Sequence, residues 1–181
     1  MSEAPGTTPP TLVPFADDPM ALRTTFALFP TGVAALSAVV DSGEGPEPVV
    51  LVASSFQVGI SLDPPLVLFA VQHTSTSWPK LKTATRIGVS VLGEAHDLAA
   101  RQLASKAADR FAGIQTTTTE SGAHFIHGAP VWIEASIHSQ FPAGDHDVVL
   151  LQVHAAGTAP DTEPLVWHSS GFRTLTPRPA G

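Results

Sequence analysis

Ser54-Ser55-Phe56 closes one apolar run, Val49 to Ala53, and Ser61-Leu62-Asp63-Pro64-Pro65-Leu66-Val67-Leu68 opens another. Leu66 to Val71 is short, continuous and apolar, the pattern of a strand buried on both faces. Upstream, Val33 to Val40 is apolar and rich in β-formers. The segment Asp41 to Pro48, with two Gly and two Pro, separates it from Val49–Ala53, so the pair reads as a hairpin. Downstream, Ile87 to Leu92, Val131 to Phe141 and Val148 to Ala156 read as further strands, with Ala143-Gly144-Asp145 turning between the last two. Helices are fewer. Asp17-Asp18-Pro19 is a helix start, followed by Leu22, Phe26 and Phe29 on one apolar face and stopped by Pro30 and Gly32. Asp97 to Ala108, rich in Ala and Leu, is the other long helix. Many short strands with two or three helices predict a mainly β chain folded as an antiparallel, Greek-key-like barrel with flanking helices.

A chain of 181 residues suits one domain with a substantial core. We place that domain at residues 17–176, between a loose, Pro- and Thr-rich arm over 1–16 and a short tail over 177–181. The formal net charge is −7, and the nine Lys and Arg are scattered. Nucleic acid and anionic membrane surfaces both demand clustered cations, so neither is an expected partner. An anionic ligand would instead need local hydroxyls, amides and one or two cations. Cysteine is absent, which removes disulfides, thiolate metal sites and thiol nucleophiles. The N-terminus lacks the order of a secretory signal, and the expected location is cytoplasmic.

Several clusters carry chemistry on their residues alone. Thr74-Ser75-Thr76-Ser77-Trp78-Pro79-Lys80-Leu81-Lys82 has the composition of a capped helix start, and a helix N-terminus attracts anions. An ordinary capped surface helix reads equally well. Ser54-Ser55 is either a strand-end turn or a pair of ligand-facing hydroxyls. Thr31-Gly32 stands where helix passes to strand; Gly32 would allow a positive φ or a close approach. Arg110 either caps helix carbonyls or faces a ligand. In Gly144-Asp145-His146 a carboxylate neighbours an imidazole and can set its tautomer. His124-x-x-His127 and Glu134 with His138 are the nearest approach to metal-ligand spacing. In a strand the second pair would stand about 13 Å apart, so no metal is expected. No Rossmann fingerprint, P-loop or nucleophile elbow occurs.

Taken in order, Phe29-Pro30-Thr31-Gly32-Val33, Ser54-Ser55-Phe56, Ser61 to Leu68, the Thr74–Ser77 cluster and Gly144-Asp145-His146 resemble the flavin reductase family. The family's fold is the FMN-binding split barrel, and the resemblance spans about residues 20 to 175. It implies cofactor contacts at Pro30, Thr31, Gly32, Val33, Ala53, Ser54, Ser55, Phe56, Ser75, Ser77, Lys82, Arg110 and Phe111. It implies nicotinamide contacts at Gly144, Asp145, His146, Phe172 and Arg173, with His146 as the catalytic residue in an orienting role. Two positions depart from the family's pattern: Val52 stands where Thr is common, and Gln72 or His73 where Asn is common. The implied cofactor is FMN, with FAD left open, and the hydride donor is NADH or NADPH. The implied activity is NAD(P)H:flavin oxidoreduction by a homodimer that supplies reduced flavin to a separate monooxygenase. A flavoenzyme that retains FMN and acts on its own biosynthetic substrate is one alternative; a flavin-binding protein without turnover is another.

Overall fold

A computed structural model describes Leu12 and residues 18–176. The expected arm (Leu12 apart) and tail lie outside the described residues. In chain order the elements are α1 (Pro19–Phe26), β1 (Thr31–Gly32), β2 (Ala34–Asp41), β3 (Pro46–Ala53), β4 (Gln57–Leu62), β5 (Pro65–Gln72) and α2 (Trp78–Leu81). They continue with β6 (Ile87–Val91), a 3-10 turn, α3 (Asp97–Leu103), β7 (Thr116–Thr118), β8 (His124–Ile126), β9 (Val131–Ala143), β10 (His146–Thr158), β11 (Val166–His168) and β12 (Gly171–Arg173). Seven strands form one antiparallel sheet in the order β3-β2-β6-β9-β10-β5-β4. Strands β1, β11 and β12 make a small second sheet, and β7 pairs with β8.

The large sheet curls until its two ends approach, and one side chain clasps the seam. The Ser55 hydroxyl, just beyond β3, donates to the Ala70 carbonyl on β5 and accepts from the Ala70 N–H, both at 3.0 Å. Inside the curl lie Leu36, Val49, Phe69, Leu81, Ile87, Val89, Val149 and Leu151. Each large side chain so buried contributes about 1.5–3 kcal/mol. The apolar run of β2 then explains itself. Ala34, Leu36 and Ala38 point into the curl, while Val33 and Ala35 point outward into a second core with Val50, Leu92, Leu103, Ile126 and Leu165. Period-two alternation with both faces covered leaves no polar rhythm.

Strand β5 differs from expectation. Val67, Phe69 and Val71 are buried, but Leu66, Leu68 and Ala70 on its other face are only half-covered. That face, at Ala70, is the floor of a cleft. Strand β4 is a second surprise: an exposed edge strand whose pairing with β5 slips between Gln57 and Ser61, with no continuous apolar run to reveal it. Helix α3 stops at Leu103, not Ala108, because Ser105 turns the chain; its hydroxyl donates to the Gln102 carbonyl and accepts from the Ala107 N–H. Helix α1 starts as its residues dictate, with Asp18 capping the Met20 and Ala21 N–H groups. Among the described residues Phe26 at its end and Phe29 just beyond it stay largely uncovered, 65% and 72% exposed.

Two buried serines dock β8 on the outer face of the sheet. Ser37 donates to the His124 carbonyl at 2.7 Å, and Ser90 accepts from the Ile126 N–H at 3.0 Å. The approach is so close that a Cβ at residue 88 would collide with the His124 backbone, which is why Gly88 stands there.

Candidate functional site

The curl of the sheet and the loop after α3 enclose an open cleft of about 640 Å³. One wall is the end of β3 and the serine pair, Ala53 to Ser55; the floor is Ala70 to Gln72 of β5; the far wall is Thr74 to Ser77. Ala104, Lys106 and Arg110 close one side, and His146 lies at its rim. Residues more than ninety positions apart therefore meet in one place.

The serines divide their labour. Ser55 has its hydroxyl proton committed to Ala70, whereas the Ser54 hydroxyl has no hydrogen-bond partner among the described residues. Ser75 accepts from the Trp78 N–H at 3.2 Å, a local cap, and Ser77 is nine-tenths buried. Arg110 caps the end of α3 and also lines the cleft. One guanidinium nitrogen donates to the Leu103 carbonyl at the end of α3, and another donates to the Ser77 hydroxyl at 3.0 Å across the cleft. Gln102 holds this loop by donating to the carbonyls of Arg110 and Ala112.

The lysine pair lies elsewhere. Lys80 is bound by Glu47 at 2.9 Å, facing a different, acidic cleft. Lys82 does not line the serine cleft; its charge falls near Asp147. The cations at the cleft are Arg110 and Lys106. The sequence signal for Lys106 was only its place after α3, since helical periodicity cannot say which way a post-helix loop turns. The predicted helix N-terminus also shrinks to the four residues of α2, with Ser77 itself in helical conformation and making no cap.

Around the serine pair two further clefts open, and Ser54 lines all three. One, of about 560 Å³, is bordered by Thr31, Trp167, Ser170 and the exposed Phe26 and Phe29. The Thr31 hydroxyl is buried there, and among the described residues it has no partner, which leaves it able to donate to a ligand. Gly32 is extended rather than at positive φ, so its expected conformational role is absent; it pairs with Val166 in β1. Pro30 precedes this strand, exposed. The other cleft, of about 310 Å³, is lined by Val33, Val52, Trp167 and Phe172. Phe56 packs on the inner core. Phe111 packs on the outer core, edge-on to His124 at 4.8 Å, and does not line the serine cleft. Arg173 turns back to donate to the Phe172 carbonyl, so its reach toward the serine cleft is not realised.

At the rim, Gly144 takes φ 67° in the β9–β10 turn, and His146 is the first residue of β10. Its Nδ1 lies 2.7 Å from Asp145 Oδ1. That hydrogen bond, with the electrostatic attraction of His146, holds the Asp145 carboxyl below the usual carboxylate range. A second pair stands behind it: His73 Nε2 lies 3.1 Å from Asp147 Oδ1. The His73 hydrogen bond, assisted by Gln140, holds Asp147 low in the same way. The rings of His124 and His127, the metal-like spacing in sequence, each bond a threonine of β7, Thr118 and Thr117.

The family model for the flavin reductase like domain matches residues 26–176. The chain belongs to this family. Its relatives include a protein named actinorhodin polyketide dimerase from Streptomyces coelicolor, 36% identical over 160 residues that cover 88% of each chain. Another is the flavin-dependent monooxygenase reductase subunit HsaB of Mycobacterium tuberculosis, 32% identical over 88% of this chain and 84% of that one. Among solved structures, the Streptomyces globisporus C-1027 NADH:FAD oxidoreductase SgcE6 superposes with a TM-score of 0.82 at 33% identity, over 93% of this chain and 100% of that one. The residues present fit a flavin of this family: among the described residues the Ser54 hydroxyl and the buried Thr31 oxygen have no partner, and Ser77, Arg110 and Lys106 line the cleft that Ser54 shares.

Proposed function

We infer that the protein is an NAD(P)H-dependent flavin reductase, the smaller component of a two-component monooxygenase system. The observation that carries this reading is the convergence of Ser54, Ser77, Arg110, Lys106 and His146 on one open cleft. Arg110 and Lys106 bind the phosphate, with the buried Ser77 holding the guanidinium in place. Ser54 and Thr31 supply hydrogen bonds to the polar edge of the ring and its side chain. Flavin, when bound, supplies the hydride-accepting chemistry, so the protein needs no obligatory acid or base in that step. His146, oriented by Asp145, positions and polarises the donor at the rim. An open cleft suits a flavin that must leave for a separate oxygenase.

The protein acts as a homodimer in this reading. The uncovered Phe26 and Phe29 border the cleft at Thr31, and a second copy laid on α1 would bury them and complete its wall. Sedimentation should give twice the chain mass, and Phe26→Glu with Phe29→Glu should give the monomer. In this reading the protein acts in the cytoplasm. No described helix is long and apolar enough to cross a membrane.

The deciding experiment follows NADH oxidation by absorbance while free FMN or FAD is raised from below the enzyme concentration to large excess. Turnover that scales with free flavin establishes the reductase. Bound flavin without such turnover would favour an enzyme that keeps its flavin for a biosynthetic step, a reading to which the polyketide dimerase relative gives support.

A further inference from the structure

The 310 Å³ cleft beside the serine pair is built unlike the phosphate site. Trp167 and Phe172 form one wall, edge to face at 5.0 Å, and Val33, Val52 and Ala100 form the rest. Arg101 of α3 lies over the Phe172 ring, 4.9 Å from its centre. Among the described residues that guanidinium has no carboxylate partner. A guanidinium held over an aromatic face can still donate through its N–H groups, and arginine so placed can grip phosphate. This cleft shares Val52, Ser54 and Ala104 with the serine cleft, so the two adjoin. A mononucleotide carries one phosphate, which Lys106 and Arg110 already serve. A second cation, beside a second aromatic-lined and mostly apolar cleft, would stand idle with such a ligand.

We propose that the Arg101–Phe172–Trp167 cleft binds the adenosine-phosphate half of a dinucleotide, with Arg101 on its phosphate and the flat, neutral purine in the apolar space. This rests on the flavin reading above. Two ligands carry that half, FAD and the nicotinamide donor, and the test separates them.

The test measures riboflavin, FMN and FAD affinity by flavin fluorescence, and KM for NADH, in the wild type, Arg101→Gln and Arg110→Ala. Arg101 is exposed at the surface of α3, so its replacement leaves the core untouched. The expected result is a loss of about tenfold in FAD affinity for Arg101→Gln, the size of one charge-assisted contact, with riboflavin and FMN within twofold. Arg101→Lys should recover part of the loss. If FAD is unaffected while KM for NADH rises by a similar factor, the same half is bound but belongs to the hydride donor. Equal weakening of riboflavin, FMN and FAD would overturn the proposal, because the cleft would then hold the flavin ring. So would an Arg101→Gln protein that behaves as wild type in every titration. If Arg110→Ala leaves the FMN-to-riboflavin ratio unchanged, the phosphate reading itself fails, and this inference fails with it.

Discussion

Ser54 and Ser55 are adjacent, identical in chemistry and both exposed, yet their hydroxyls do different things. The Ser55 oxygen makes two bonds to the backbone of Ala70 and ties the β3 end of the curled sheet to β5. Ser55→Ala should therefore cost about 1–2 kcal/mol of stability, read as a lower denaturant midpoint. Ser54→Ala should leave the midpoint unchanged and weaken flavin binding several-fold in a fluorescence titration. Equal effects from the two would show that the hydroxyls share one role. At the rim, His146→Ala should slow the reduction of bound flavin by NADH more than it weakens flavin affinity, because the imidazole lines the cleft mouth rather than the phosphate wall. Stopped-flow rates equal to wild type would remove it from the mechanism. Of these residues the serine pair and Gly144-Asp145-His146 were legible as positions of interest. Which serine is structural was not, since that depends on Ala70, fifteen residues away on another strand.

Among the elements, the long apolar strands announced themselves and the short ones did not. Strands β2, β3, β5, β6, β9 and β10 follow from runs of β-formers bounded by Gly, Pro and Asp. Strands β11 and β12 are three residues each, joined by Ser169 and Ser170, both at positive φ of 51° and 57°. Two left-handed central residues make the tight turn that matches strand twist, a turn usually marked by Asn-Gly. Serine pays a conformational penalty there, so the hairpin carries no sequence signature. Ser170 borders the cleft at Thr31, and the Ser169 N–H donates to the Ala27 carbonyl after α1. Replacing the pair with Asn-Gly should stabilise the protein by about 1 kcal/mol, seen as a rise in Tm. A fall in Tm would mean that the serine side chains compensate for the backbone conformation.

For the whole molecule, His124 couples the outer core to pH. It is buried at the Gly88 crossing, and desolvation lowers its pKa from the ordinary value. The folded state then resists protonation that the unfolded chain accepts. Stability is full above the unfolded value, about 6.5, and declines as pH falls from there toward the lowered folded value. Thermal melts across this range should show that decline, and His124→Gln should flatten it; an unchanged slope would assign it to other groups. The sequence by itself determined the family, the mainly β class and most of the strands. These follow from local composition and from motifs whose order survives without knowledge of contacts. Only the tertiary structure decided which cations face the cleft, that Lys80 pairs with Glu47, that Ser55 clasps the seam and that Arg101 lies over Phe172. Each of those depends on how a sheet curls and a loop returns, and long-range contacts of that kind leave no periodicity along the chain.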